Sequence, residues 1–274
     1  MITLSSDFGS PYPAAMKGVL CLRTNARLID VAHDFPRQDV RVTAFWLREV
    51  LPYFPPAVHL VVVDPGVGTD RAALVVRAGD HALVAPDNGV LLPAARALAA
   101  ERTDESAGRS DEGDADENVE VFAWEVDDPA SHTFHGRDVF APAAAAVHDA
   151  GVANAGMLDR ATPTTGHADL AFPEPEISGR DDGAESEATG EVLAVDGFGN
   201  VITNLPGTVL DDRFSEDVTV NGEPTPAERT YAAVGPGERV LTVGSHGSVE
   251  CAVNQGRGNE VFGLSVGDRV RLVW

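Results

Sequence analysis

Three short stretches of this chain carry side chains that together could act on a small molecule. In Val58–Arg71 (VHLVVVDPGVGTDR) a valine-rich apolar run stops at Asp64, Pro65 and Gly66 turn the chain, and Arg71 follows seven residues after the acid. In Thr133–Asp138 (TFHGRD) His135 stands beside Phe134 and a glycine. In Asp196–Asn204 (DGFGNVITN) an acid, an aromatic and an amide alternate with glycines. Two lesser groups are Ser6-Asp7-Phe8-Gly9 and Gly244-Ser245-His246-Gly247, the latter followed by Asn254. A carboxylate, a guanidinium and an imidazole form a set able to orient and activate water. Each has a plainer reading when taken alone. Asp64 is then a turn or helix-cap acid, Arg71 an ion-pair partner of Asp70, and His135 a loop histidine on backbone. DGFGN is then only a glycine-rich hairpin turn.

The elements that position these residues fall into two parts. An apolar run such as Val58–Val63 reads as a strand buried on both faces of a parallel sheet. Asp64 at its C-terminal end lies where open α/β sheets place their ligands. Asp7 follows another strand, Met1–Ser5, and a helix over Ala14–Arg23 comes next. Arg27–Ala32 reads as a strand, and Asp39 caps a helix over Val40–Tyr53 that carries Phe45 and Trp46. Ala73–Ala78 and His81–Ala85 flank a Gly79-Asp80 turn as a strand pair. A helix over Val90–Ala100, a strand over Val119–Val126, a polar loop over Ser131–Asp138 and a helix over Val139–Ala150 complete the part.

Alternating strands and helices predict a mostly parallel α/β sandwich domain over residues 1–175. The acidic, low-complexity run over 101–118 reads as a solvated insertion. Residues 176–189 are rich in Pro, Gly, Glu and Asp and read as a linker. Over 190–274, short strands separated by turn signals predict a small antiparallel β-barrel-like domain.

Composition excludes several classes of function. The formal charge is −23, and Lys17 is the only lysine. Such a balance argues against nucleic acid and anionic membrane as partners. It favours a salt-rich cytoplasm, where ions screen carboxylate repulsion. No apolar stretch approaches membrane-spanning length, and the opening residues run straight into strand-like sequence, with no leader expected. Cys21 and Cys251 lie in apolar contexts and are expected to be buried free thiols.

In their order along the chain, TLSSDFG, QDVR, LPYFP, VVDPGVGTDR, APDNG, TFHGRD and VDGFGNVITN resemble the S-adenosylmethionine (SAM) hydrolase family, also called SAM hydroxide adenosyltransferases, which is related to the fluorinating and chlorinating SAM enzymes. VDPGVGT and TFHGRD are each fairly specific, and the resemblance spans nearly the whole chain apart from residues 101–118. It implies hydrolysis of SAM to adenosine and L-methionine, no cofactor or metal, and a homotrimer with active sites between neighbouring subunits. By resemblance Asp64, Arg71 and His135 activate the water. Arginine beside Asp64 favours its charged form, so Asp64 orients water rather than accepting its proton. The resemblance gives Asp7 the ribose hydroxyls and Asn200 an adenine edge. Trp46, Phe134 and Phe198 become walls or stacking partners of the base, and Phe8 and Asn254 are further substrate-binding residues. Asp196 pairs with the substrate ammonium, and Ser245 donates to its carboxylate. His246 departs from the family, where serine or arginine is common. Val67 is apolar where the fluorinating relatives present threonine.

Three rival readings compete. His132 and His135, three residues apart, with His33-Asp34 suggest a metal-dependent hydrolase, but no helix of the HExxH type occurs. A non-catalytic SAM- or adenosine-binding protein would return SAM unchanged. A chlorinase-like halogenase would place a halide where the hydrolase places water.

The charge balance makes a direct prediction. Melting temperature should rise as KCl goes from low to molar concentration, because screening relieves carboxylate repulsion. A flat or falling curve would count against salt adaptation.

Overall fold

The computed structural model describes residues 1–106, 118–126, 133–179 and 186–274. It divides into two compact units, Met1–Ala171 and Phe172–Trp274. Most of the expected acidic insertion, and residues 180–185 of the expected linker, lie outside the described residues. Residues 176–178 and 187–189, at the ends of that linker, are paired strand.

The first unit is built on a seven-stranded sheet. Its strands are β1 (Ile2–Ser6), β2 (Leu28–Ala32), β3 (Val58–Val62), β4 (Ala73–Ala78), β5 (His81–Pro86), β6 (Val119–Trp124) and β7 (Ala161–Pro163), in the spatial order β2-β1-β3-β5-β4-β6-β7. The sheet is mixed rather than mostly parallel. β2, β1, β3 and β5 run parallel. The Gly79-Asp80 hairpin then reverses the chain, and β5, β4, β6 and β7 pair antiparallel. A two-residue turn admits only that outcome.

Helices α1 (Tyr12–Arg23) and α4 (Ala141–Ala150) close one face of this sheet. Met16, Leu20 and the alanines of α4 pack there against Ile2, Leu4, Val58, Leu60 and Val62. Alanine lets α4 lie close to the strands. Helices α2 (Val40–Val50) and α3 (Leu92–Ser106) pack on each other, with Phe45 and Leu47 buried. Asp39 caps α2 by accepting a hydrogen bond from Val42 N, as the sequence predicts.

The second unit is a closed barrel. Its strands are β9 (Glu187–Val195), β10 (Val201–Pro206), β11 (Glu216–Val220), β12 (Glu223–Ala227), β13 (Arg239–Val243), β14 (Ser248–Val253) and β15 (Arg269–Val273). β10 pairs with β14 on one side and β9 on the other, which closes the ring, and β8 (Glu176–Ser178) extends it from β9. Val192, Val201, Leu241, Val249, Cys251 and Leu272 fill the interior. β12 (EPTPA) escapes the sequence pattern because its prolines mask a strand signal. Its pairing with β13 is parallel, an exception in an otherwise antiparallel ring. Cys251 is buried as expected, and burial pushes its thiol up to about 12. Cys21 is exposed instead, because it points away from the buried Met16 and Leu20 of α1.

One buried polar chain crosses the first sheet. Thr3 and His59 face each other across β1 and β3. The Thr3 hydroxyl lies 2.8 Å from His59 Nδ1, and His59 Nε2 lies 2.9 Å from His81 Nδ1. The two rings stack with centroids 5.2 Å apart. Burial, with the neighbouring His81, pushes His59 down to about 3. Burial lowers His81 as well, against the opposing charge of Asp80.

The unfolded chain takes up these protons near pH 6.5, while the folded chain refuses them. Stability is therefore full above pH 6.5 and falls as pH drops toward 3, by about 2 kcal/mol at pH 5 for His59 alone. His59→Gln removes the titrating ring, so its loss of melting temperature between pH 8 and 5 should be smaller than wild type's. Equal slopes would show that this histidine titrates alike in the folded and unfolded chain.

Candidate active site

The pairing of parallel strands brings the first acids together. β1 and β3 are in register at Ser6 and Val62, so Asp7 and Asp64 both emerge at the C-terminal edge of the sheet, the usual ligand edge of such sheets. Asn88, in the turn after β5, donates to Val63 O at 2.8 Å and fixes the end of β3. Asp64 Oδ1 then accepts from Gly66 N and from Arg71 Nη1, each at 3.0 Å. Both bonds fall on Oδ1, which leaves Oδ2 to the cleft. The Asp64 side chain is only 7% exposed, and that of Arg71 28%. Gly66 has a specific role here. A Cβ on it would lie 2.5 Å from Arg71 Nη2 and 2.6 Å from Cζ. The guanidinium therefore lies against a bare Cα and reaches Asp64.

The opposite wall comes from the segment read as a polar loop. It is helical: His135 leads into a π-helical turn over Gly136–Phe140 that continues as α4. A Cβ on Gly136 would press within 2.8 Å of Met16 Sδ and 3.2 Å of Val62 Cγ1. Glycine lets this turn sit directly on the core beside β3. Such π-type turns recur at functional sites.

Asp7, Phe8, Tyr12, Arg37, Gln38, Asp64, Val67, Phe134 and His135 line one cleft of about 520 Å³. The volume suits a ligand of nucleoside size or somewhat larger. Phe8, Tyr12 and Phe134 form an edge-to-face trio with centroids 5.5 to 6.1 Å apart. Asp7 Oδ2 accepts from Gln38 N at 2.6 Å, so one oxygen is already engaged and the other is available. Trp46 is not among the cleft residues; it packs edge-on against Phe45 in α2. The sequence reasoning missed Tyr12, Arg37 and Gln38. Gln38 signals itself only through its left-handed φ of 61°, which no residue pattern announces.

The remaining predicted residues belong to the barrel. Asp196 closes the β9–β10 turn: its Oδ1 accepts from Phe198 N and Asn200 N, and its Oδ2 from Asn200 Nδ2. Phe198 is held outward, 80% exposed. Asn259 N donates to Gly199 O at 2.8 Å, and a Cβ on Gly199 would meet Arg257 Cβ at 2.8 Å. Ser245 is exposed on the β13–β14 turn. Asn254 donates to Val234 O at 2.7 Å, which leaves its amide oxygen free to accept. Among the described residues no group of three or more His, Cys, Asp or Glu side chains could hold a metal, and no helix is long and apolar enough to cross a membrane. His132 lies outside the described residues. His33 is engaged with Ser6 Oγ and Asp30 Oδ1.

Comparison with known proteins covers both units. Residues 2–156 match the SAM hydroxide adenosyltransferase N-terminal domain, and residues 190–271 match the corresponding C-terminal domain. The chain is 40% identical to an (R)-S-adenosyl-L-methionine hydrolase of Salinispora tropica, over 99% of this chain and 97% of that one. It is also 40% identical to a hydrolase of the same name from Thermus thermophilus, over 98% and 97%. The crystal structure of an uncharacterized conserved protein from Thermotoga maritima aligns with a TM-score of 0.76 at 29% identity, covering 99% of each chain.

The contact between Gly66 and Arg71 is open to a direct test. Gly66→Ala should lower turnover by about 10²-fold through displacement of the guanidinium. The melting temperature should barely change, since the turn is surface-lying. Unchanged turnover would mean that Arg71 does not need its place against Asp64.

Proposed function

The chain belongs to the SAM hydroxide adenosyltransferase family, and we infer that the cleft lined by Asp64 and His135, with Arg71 paired to Asp64, is where it hydrolyses S-adenosyl-L-methionine to adenosine and L-methionine. The observation that supports this most is that Asp64, held at 3.0 Å by Arg71, lines the same cleft as His135.

The chemistry follows from the substrate. Its sulfonium is a good leaving group. When a water oxygen attacks C5′ of the ribose, the C5′–S bond breaks and its electron pair returns to sulfur as a neutral thioether. The water loses one proton on the way to adenosine. Oxygen meeting a sulfonium as hydroxide neutralises charge, so a dry site favours the transition state over bulk water. Holding the oxygen in line behind C5′ supplies the orientational part.

Asp64 Oδ2 accepts a hydrogen bond from the water and sets its direction. Arg71 stabilises the forming hydroxide, and His135 takes the proton. Asp7 binds the ribose hydroxyls with its uncommitted oxygen, and the Phe8–Tyr12–Phe134 trio walls the nucleoside. In the barrel, Asn200 and Phe198 serve the adenine and Asp196, Ser245 and Asn254 the methionine end.

The reading includes a homotrimer with active sites between neighbouring subunits, no cofactor, and no nucleic acid or membrane partner. The charge of −23 supports a salt-rich, cytoplasmic setting. Asp64 also favours water over chloride. An anion beside a poorly solvated carboxylate is repelled, whereas water donates to it. Val67 lacks a hydroxyl that a bound halide would use.

Reaction in oxygen-18 water, in molar chloride, should put the label on the adenosine 5′ oxygen. 5′-Chloro-5′-deoxyadenosine as the main product would move the protein to the halogenating branch. Asp64→Asn, Arg71→Ala and His135→Ala should each cut turnover sharply while SAM affinity stays within about tenfold. Asp7→Ala and Asn200→Ala should weaken binding instead. Normal hydrolysis by the Asp64 and His135 variants would falsify the assignment.

A further inference from the structure

Glu250 is a charge in an unexpected place. It lies on β14, paired with Ile202 and Thr242 on the flanking strands. Its neighbours Val249 and Cys251 point into the barrel core. Strand alternation therefore sends Glu250 to the outer face, where a carboxylate is normally solvated. Glu250 is only 5% exposed. The Tyr231 hydroxyl donates to its Oε2 at 2.7 Å. On the other side the carboxyl lies against the bare Cα of Gly244, where a Cβ would come within contact of Oε1 and lie 2.5 Å from Cδ. Gly244 opens the turn that carries Ser245 and His246.

The cluster has one more member. Burial pushes the Glu250 carboxyl above its usual range, and the charge of Asp196 adds to that; the Tyr231 hydrogen bond and His246 oppose it. A strand carboxylate and a turn carboxylate thus act on one another at one corner of the barrel. The fold gains little from this, since a buried acid costs stability that an apolar residue would not. A cation entering the corner offsets the repulsion.

We propose that Glu250 is a specificity-determining residue for the amino-acid end of the substrate: anchored by Tyr231 and pressed against the Gly244–Gly247 turn, it supplies a second negative charge beside Asp196 for a cationic α-ammonium group. The inference rests on the assignment of Asp196 and Ser245 to the methionine end. It explains how the site tolerates His246. The acids behind the turn read the ammonium, and the turn itself need not carry a fixed charge.

The test compares full-length wild type with Glu250→Gln, which keeps the acceptor for Tyr231 and removes the charge. Two sulfonium compounds are used: SAM, and its analogue in which hydrogen replaces the α-ammonium. Binding of both is measured by titration calorimetry, and adenosine release by chromatography. The wild type should prefer SAM. Glu250→Gln should lose about tenfold of that preference, the effect of one well-placed charge on a bound ion, with kcat for SAM within about threefold. Should that variant fail to fold, Tyr231→Phe removes a single hydroxyl at a partly exposed position and should lose part of the same preference. An equal weakening of both compounds, or none, would overturn the proposal and leave Glu250 a structural residue. A wild type that binds SAM but releases no adenosine would instead sink the hydrolase reading, and the binding preference would still decide the role of Glu250.

Discussion

The parallel register of β1 on β3 is the constraint on which the first unit depends. Ser6 stands opposite Val62, and the acids that line the cleft are placed relative to that pair. Asp7 and Asp64 leave the sheet side by side because the strands are parallel and end together. A slip of one residue would turn Val58, Leu60 and Val62 away from α1 and α4 and drive His59 into their apolar face. The register is thus held by the burial of alternating side chains, and the site inherits that rigidity. Asn88 secures the strand end, Asp64 organises its own turn, and that turn receives Arg71 on a glycine. Each step rests on the one before.

Charge is distributed with a purpose that the net value conceals. The chain carries an excess of acids, yet Arg37 and Arg137 line the cleft of the first unit, and Arg71 pairs with its Asp64. Arg137 is neutralised by its neighbour Asp138 and lies over the Phe134 ring. Arg71 is matched to Asp64. The cleft is locally balanced inside an anionic field. Such a field draws in a cationic sulfonium and repels halide. In the barrel, the charge of Asp196 adds to the burial of Glu250, while the Tyr231 hydrogen bond and His246 oppose it.

Local signals in the sequence were sufficient for much of this. The valine run ending at Asp64, the Gly79-Asp80 hairpin, the Asp39 cap and the recurrent short strands after residue 190 are short-range features. Their cause is the period of a strand or the chemistry of a turn or cap, and each appears in the structure. Asp7, Phe8, Asp64, Phe134 and His135 stand out as candidates for the same reason: each sits at a strand end or in a motif of unusual composition, and all five line one cleft.

Tertiary structure decided what depends on contacts distant in sequence. Trp46 stands out by type, and helix packing sets it edge-on against Phe45. TFHGRD looks like loop by composition, but Gly136 fits against Met16 and Val62 and becomes the start of a helix. EPTPA carries no strand signal of its own, but its neighbours in the ring accept it as a strand. Glu250 looks like an exposed strand residue until Tyr231 and Gly244 close over it. The sequence by itself determined which elements form and which chemistry they carry, because propensity and period act over a few residues. Which side chains meet was decided by register and close packing, because those forces act between segments that no local pattern relates.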